Sequence, residues 1–435
     1  MKLQALRGTT DLLPDDLKRW SSVEHAVRRL CRLYGYREIR TPIIEDAALF
    51  LRSIGETSDI VQKEMFRFED RGGHDIVLRP EGTASIVRAY LEHSLDKTDG
   101  FTKLFYLGPM FRAERPQAGR FRQFHQFGVE AIGSVSPWVD VESITLCMAI
   151  LRACGVTDAA VWLASMGCRK DQERSAQELR KRLSPQRTKL CKECQARLEK
   201  NVFRILDCKN PTCHALAWET TEAQEARGRF QSPFLLCEEC KTHFDEVRRG
   251  LKVAGIVYDD TKVFARGLDY YTRTVFEVRA AGLGAKDAVA AGGRYDHLVE
   301  ELGGPSVGAF GFAAGIERVL MAMSRQQAAA QEPPKRHGIY VAVVQPGLLA
   351  DGFKLVQQLR ERGVAAATDY DGKSLKAQLR EADKAGCRIV GILGEQELKQ
   401  GTMTLKDLEQ GDQETVPLDQ VATVAAQRLN TACHA

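Results

Sequence analysis

Two arginines bracket a short loop in the stretch Phe105 to Glu130, Arg112 before it and Arg120 after it. The loop runs from Ala113 to Gly119 and its flanks alternate, which predicts a β-hairpin. Guanidinium groups on both sides of a loop suit a polyphosphate, because each presents a planar fork of donors to phosphoryl oxygens. In the return strand a period of two puts Arg122, Phe124, Gln126, Gly128 and Glu130 on one face. An aromatic ring, an amide and a carboxylate sharing a face read as a binding floor; the plainer reading is a half-exposed hairpin with a charged outer face. None of the nine histidines has HxxxH or HExxH spacing, so no catalytic protein-bound metal is expected. His125 points away from Gln126 and reads as structural.

Cysteine is the other chemistry-bearing residue. Of twelve, six crowd into the segment 191–240: Cys191, Cys194, Cys208, Cys213, Cys237 and Cys240. Cys191-x-x-Cys194 and Cys237-x-x-Cys240 have zinc-knuckle spacing, and two such pairs supply the four thiolates of a tetrahedral structural Zn2+. The alternative is a set of reduced core thiols. Six exceed the need of one site, so which four bind stays open, with those two pairs the first choice. The other six cysteines are scattered and read as small buried hydrophobes.

These groups must be carried by folded elements, and the composition supplies them. The 435 residues are 44% hydrophobic and 28% charged, enough apolar content for two or more packed domains rather than a disordered chain. No apolar run reaches the length of a membrane span, and no apolar segment follows the basic residues near Met1, so an intracellular, cytoplasmic protein is expected. The net charge of +4 permits an anionic partner without requiring one.

Leu17, Trp20, Val23, Val27, Leu30 and Tyr34 recur at steps of three and four, predicting an amphipathic helix over 15–34, and residues 37–45 read as a strand with Pro42 at an edge or bulge. Extended runs follow at 75–78, 103–112, 122–132 and 273–278, paired mainly antiparallel because few gaps hold a crossover helix. Residues 168–250 change texture: residues 169–249 carry 18 Lys and Arg against 13 Asp and Glu, a local +5, and read as a helical insertion. Residues 326–336 form a polar Ala/Pro linker. Beyond it, strand and helix alternate over 337–435, predicting a small α/β domain; from Arg336 onward 12 basic and 13 acidic residues provide no general positive field. The expected architecture is therefore an α+β domain on an antiparallel sheet over 1–325, interrupted by the insertion, followed by the linker and the α/β domain.

The stretch Phe111-Arg112-Ala113-Glu114 with Arg120-Phe121-Arg122-Gln123-Phe124 resembles motif 2 of the class II aminoacyl-tRNA synthetases. The helix plus residues 36–45 is similar to motif 1, and Gly311 to Leu320, with Glu317-Arg318, to motif 3. Arg266-Gly267-Leu268-Asp269-Tyr270-Tyr271 and Ala291-Gly292-Gly293-Arg294-Tyr295 resemble the two signatures of the histidyl-tRNA synthetase family, and Leu78 to Ala84 its amino-acid-binding turn. The resemblance spans essentially the whole chain.

It implies a homodimeric ligase that activates L-histidine with ATP and Mg2+ and transfers it to tRNA(His), with the C-terminal domain binding the anticodon. Arg112 and Arg266 would be catalytic, holding the α-phosphate from two sides. Arg120 and Arg318 would serve the β/γ end, Glu114 the adenine amino group and Phe124 the adenine ring. Glu81, Gly82 and Thr83 would hold the substrate ammonium and Gln126 the carboxylate, while Glu130 and Tyr271, beside Tyr270 and Gly293, address the imidazole. Gln117 at the loop tip would meet the tRNA acceptor stem. The competing readings are a histidine-binding regulatory paralogue of a histidine-biosynthesis enzyme, which typically lacks the phosphate-binding arginines and the C-terminal module, and a noncatalytic RNA-binding protein, which has no use for Glu130 and Tyr271.

Overall fold

The structure, a computed structural model, describes residues 3–55, 58, 60–117, 119–206, 208–218, 234–261, 268–281, 283, 287–326 and 336–430. The chain divides into two compact units, Met1–Ala329 and Ala330–Ala435.

An eight-stranded sheet organises the first unit. Its strands are β1 (Arg37–Glu38), β5 (Thr102–Phe111), β6 (Gln123–Ile132), β7 (Ala160–Ser165), β8 (Tyr258–Asp259), β9 (Thr272–Arg279), β10 (Ala288–Arg294) and β11 (Ala309–Gly315), in the order β1-β5-β6-β11-β10-β9-β7-β8. The central pairs are antiparallel, and the two edges, β1 on β5 and β8 on β7, are parallel. A three-stranded sheet of β2 (Ile44–Asp46), β3 (Phe66–Glu69) and β4 (Asp75–Leu78) sits in the same unit.

The period of two in β6 decides which residues enter the core and which face away from it. Phe127, Val129 and Ala131 enter the main core, with Trp20, Val23 and Val27 of the helix Pro14–Leu33 and Ile144, Leu146 and Leu151 of the helix Pro137–Ala153. This leaves Phe124, Gln126, Gly128 and Glu130 to the opposite face. The helix Pro14–Leu33 buries Trp20, Val23, Ala26, Val27 and Cys31 at helical spacing, and starts with Pro at its first turn and two aspartates.

Two sequence expectations are corrected here. Residues 37–45 do not form one strand: β1 joins the large sheet, and after Thr41-Pro42 the chain crosses to the small one as β2. Arg79 stabilises the crossing by donating from Nη1 to the Thr41 carbonyl and hydroxyl, at 3.0 and 2.9 Å, and from Nε to the Pro109 carbonyl at 3.0 Å. Strands β7 and β10 also lie outside the extended runs expected. In β10, small residues replace the alternation that would have marked a strand.

The insertion contains helices Arg169–Leu183, Lys192–Lys200, Pro211–Trp218 and Glu238–Val253. Its apolar residues, including Leu179, Leu183, Leu198, Ile205 and Trp218, form one cluster with Tyr270, Tyr271 and Tyr295. In the second unit a five-stranded sheet runs in the order β13 (Ala366–Thr368), β12 (Ile339–Val343), β14 (Ile389–Leu393), β15 (Thr402–Asp407), β16 (Gln413–Pro417). The first three are parallel and the last two antiparallel, around a separate core of Ile339, Val341, Val356, Leu359 and Leu393.

Candidate active site

A cavity of about 390 Å³ opens on the sheet face away from the main core, lined by Arg112, Glu114, Arg120, Phe124, Gln126 and Arg318, among others. The β5–β6 hairpin supplies five of these six, because the pairing from Thr102↔Ile132 to Phe111↔Gln123 brings the outer ends of both strands over the cavity. Arg318 comes from the first turn of the helix Ile316–Gln326, which follows β11 directly.

The three arginines are each anchored. Arg112 donates from Nε to the Pro80 carbonyl at 3.0 Å and lies over the Phe124 ring, 5.3 Å from its centroid. Arg318 donates from Nε to the Ala288 carbonyl at 2.7 Å. Burial, then the charge of Arg120, hold the Arg318 guanidinium below its ordinary value, with Asp287 and Glu114 opposing. Two cations forced together at a cavity wall are a place where an anion is stabilising. Arg120 donates to Glu114 Oε2 at 2.5 Å, so the two residues assigned to opposite ends of a nucleotide face each other. The loop between them turns tightly, with Gln117 N donating to the Arg120 carbonyl and Arg120 N to that of Gln117; Gln117 is exposed and Gly119 has φ +71.

Further along the same strand face lies a buried polar cluster. Glu130, wholly buried, accepts from the Thr83 hydroxyl at 2.8 Å and the Tyr295 hydroxyl at 2.5 Å. Its carboxyl is pushed up to about 8, first by burial and also by the charge of Glu81, while the two hydroxyls oppose the shift. Glu81 is likewise raised, by burial before all else, and accepts from the backbone N–H of Thr83 and Ala84 at 2.7 and 2.9 Å. Its carboxylate thus caps the helix Thr83–Glu92, an anion on the positive end of a helix. Tyr270 packs on Tyr271 and edge-on to Tyr295, with ring centroids 4.8 and 5.8 Å apart.

Tyr106, in β5, is a site residue that the sequence reading missed. A Cβ on Gly82 would lie 2.5 Å from its ring, and one on Gly128 2.4 Å from its hydroxyl, so the two glycines make the slot that holds it. Its hydroxyl and Gln126 Oε1 are both buried, and neither has a hydrogen-bond partner among the described residues. The only sequence signal was its register: Tyr106 pairs with Gly128, on the same sheet face as Gln126 and Glu130. Tyr295 stood inside a quoted motif, yet its role against Glu130 was unread.

The remaining residues singled out by the sequence are placed as follows. Gly292 and Gly293 accommodate neighbouring protein: added Cβ atoms would lie 2.2 Å from the Gly311 carbonyl oxygen and 2.7 Å from that of Thr274, with the Tyr271 ring at 2.9 Å. His125 is held by Glu317, which accepts from its backbone N–H at 2.9 Å and meets Nδ1 at 3.1 Å, as a structural histidine would be. Arg266 lies outside the described residues. The cysteines do not group as first chosen. Cys191 and Cys194 gather with Cys208 and Cys213, whereas Cys237 and Cys240 gather with Asp171 and Cys168, a cysteine first read as a scattered hydrophobe. The helical path of the insertion, rather than the x-x spacing, decides which thiols meet.

An antiparallel sheet carrying an arginine-lined nucleotide-sized cavity on the motif 2 hairpin and the motif 3 helix defines a class II aminoacyl-tRNA synthetase. The family model described as histidyl-tRNA synthetase matches residues 8–319, and one described as anticodon binding domain matches residues 339–428. The histidine–tRNA ligase of Desulfitobacterium hafniense (strain DSM 10664 / DCB-2) is 45% identical over 428 residues, 98% of this chain and 99% of that protein. That of Moorella thermoacetica is 46% identical over 414 residues, 95% of each. The apo histidyl-tRNA synthetase of S. aureus superposes with a TM-score of 0.80 at 33% identity, covering 97% of this chain and 99% of that one. The chain belongs to the histidyl-tRNA synthetase family. Among the described residues no helix is long and apolar enough to cross a membrane.

Proposed function

We propose that this chain joins histidine to tRNA(His) in two steps on one sheet face. In the first, a histidine carboxylate oxygen attacks the α-phosphorus of ATP, the bond to the β-phosphate oxygen breaks and pyrophosphate leaves. In the second, a ribose hydroxyl at the tRNA 3′ end attacks the adenylate carbonyl, the hydroxyl proton is lost and AMP leaves. The observation that carries this reading is the continuity of Gln126 with both regions: it lines the arginine-rich cavity and follows Glu130 and Gly128 along one strand face.

Arg112 and Arg266 flank the α-phosphate and neutralise charge that grows in the transition state. Arg120 and Arg318 receive the β/γ end, their mutual repulsion relieved by the phosphates. Glu114 reads the adenine amino group after releasing Arg120, and the ring stacks on Phe124. The carboxylates Glu277 and Asp287 line the same cavity, an oxygen donor set that suits Mg2+ held jointly with substrate phosphates. When bound, that ion offsets phosphate charge. Glu81 with Gly82 and Thr83 faces the substrate ammonium. Gln126 Oε1, an acceptor lacking a donor, also suits the ammonium, better than the carboxylate expected of it. Glu130, Tyr271 and Tyr270, with Gly293 backing Tyr271, surround the imidazole, and a buried polar site of this kind rejects side chains that cannot pair with it.

The second unit binds the anticodon end, and Gln117 and the basic insertion approach the acceptor end. Leu17, Leu33, Ile43 and Ile44 of the motif 1 region are 40, 70, 40 and 52% exposed, an apolar set that fits a homodimer interface. The protein acts in the cytoplasm. Histidine-dependent ATP–pyrophosphate exchange tests the reading. Arg266→Ala should lower exchange on the order of 100-fold while weakening histidine binding far less. Exchange that needs no histidine, or survives this substitution unchanged, sinks the assignment.

A further inference from the structure

Eight metal-binding side chains fall into two groups in the insertion, and none of them lines the nucleotide cavity. The sulfurs of Cys191, Cys194, Cys208 and Cys213 all lie within 4.8 Å of one another, and so do the sulfurs of Cys168, Cys237 and Cys240 and an oxygen of Asp171. We propose that the insertion holds two structural Zn2+ ions, one on four thiolates and one on three thiolates and the Asp171 carboxylate.

Geometry favours a single ion in each group. A zinc–sulfur bond of about 2.3 Å in a tetrahedron puts ligand sulfurs about 3.8 Å apart. Cys191 and Cys208 are separated by 3.9 Å, too far for a disulfide, and all eleven described cysteines are free. An iron–sulfur cluster binds its cysteines through separate irons and spreads them more widely.

The backbone is arranged as it is around metal-bound thiolates. Cys191 N–H donates to Cys213 Sγ at 3.2 Å, Asn210 N–H to Cys208 Sγ at 3.4 Å and Cys168 N–H to Cys240 Sγ at 3.2 Å. Donors aimed at sulfur stabilise its anionic, metal-binding form. Asp171, 2% exposed, accepts on Oδ1 from Cys237 N–H at 3.0 Å and Arg174 Nη2 at 3.2 Å and on Oδ2 from Cys168 N–H at 3.3 Å, which fixes the carboxylate and still leaves a lone pair on Oδ2 for a cation.

The two sites have different mechanical effects. Cys168 and Cys237 immediately precede the helices Arg169–Leu183 and Glu238–Val253, so the Asp171 site ties together the N-terminal ends of the first and last helices described in the insertion. The four-cysteine site staples the interior, joining the start of Lys192–Lys200 to the helix Pro211–Trp218.

The test is metal analysis of the full chain, expressed with added zinc and purified without chelator. Two zinc equivalents per chain are expected, with X-ray absorption of the wild type showing a mean shell between three and four sulfurs plus a minor oxygen component. Cys194→Ser should remove one equivalent and Cys240→Ser the other, and Asp171→Cys should retain both while converting the shell to sulfur alone. A wild-type chain that binds no zinc, even on addition of Zn2+, overturns both sites. A wild type that holds a single equivalent, removed by only one of the two serine variants, overturns the site the other variant addresses. A single equivalent lost to both overturns the division into two and restores a shared site.

Discussion

A buried phenol hydroxyl without a partner is costly unless a ligand completes it, and Tyr106 is in that position among the described residues. Tyr106→Phe should therefore separate stability from affinity. Urea denaturation of the free protein should show no loss, since an unpaired polar group disappears. The KM for histidine should rise roughly 3- to 10-fold, the value of about one hydrogen bond. A loss of stability without a change in KM would make the residue purely structural. Glu130 gives a second prediction at this scale. Its carboxyl, raised from 4.5 to about 8, keeps a proton in the folded chain that the unfolded chain releases. The stabilisation this confers is full below about pH 4.5 and is lost as the pH rises through 8. Glu130→Gln removes the titration, so denaturation midpoints measured from pH 5 to 9 should fall less steeply than in the wild type. Equal slopes would mean that Glu130 titrates as an ordinary carboxylate. The difference between the two residues in the sequence is instructive. Glu130 was legible because charge on a strand face next to Gln126 is conspicuous. Tyr106 was not, because a tyrosine in an apolar run reads as core and its significance lies in which glycines it faces.

Elements were legible where pattern and period agreed. The helix Pro14–Leu33 and the hairpin β5–β6 appear within a residue or two of expectation because burial on one face enforces the repeat. Strand β10 was hidden because Ala290, Ala291, Gly292 and Gly293 pack against β9 and β11 by having almost no side chain, which leaves no alternation to read. The grouping of the cysteines was illegible for another reason: it depends on helix directions through the insertion, and spacing constrains only near neighbours. The first insertion helix also reaches Tyr271. Gln172, one turn into Arg169–Leu183, donates from Nε2 to the Tyr271 carbonyl at 2.9 Å. Gln172→Ala should thus loosen Tyr271 and raise the KM for histidine a few-fold, on the scale of one neutral hydrogen bond, with kcat for pyrophosphate exchange little changed. A fall in kcat at constant KM would place the effect on the reacting centre instead.

At the scale of the whole molecule, the exposed leucines and isoleucines of the motif 1 region and the separate core of the second unit lead to two expectations. Sedimentation at micromolar concentration should show a dimer, and Leu17→Asp combined with Leu33→Asp should shift it toward monomer; an active wild-type monomer would dispose of that interface. The second expectation concerns the division between chemistry and tRNA reading. Every described residue assigned to ATP or histidine belongs to the first unit, and Met1–Ala329 and Ala330–Ala435 are each compact around their own cores. Residues 336–435 carry 12 basic and 13 acidic side chains, so the second unit can hold RNA only through placed contacts and not through a broad positive field. Deleting 336–435 should then reduce tRNA aminoacylation on the order of 10-fold or more, through a higher KM for tRNA, while histidine-dependent pyrophosphate exchange stays within about twofold. Because few nonspecific phosphate contacts are lost, the salt dependence of the remaining aminoacylation should resemble that of the full chain. Parallel loss of both activities would show that the second unit supports the catalytic fold or the dimer. Aminoacylation that survives the deletion would remove this unit from tRNA recognition and leave the insertion, with its local excess of positive charge, as the surface on which the RNA is held.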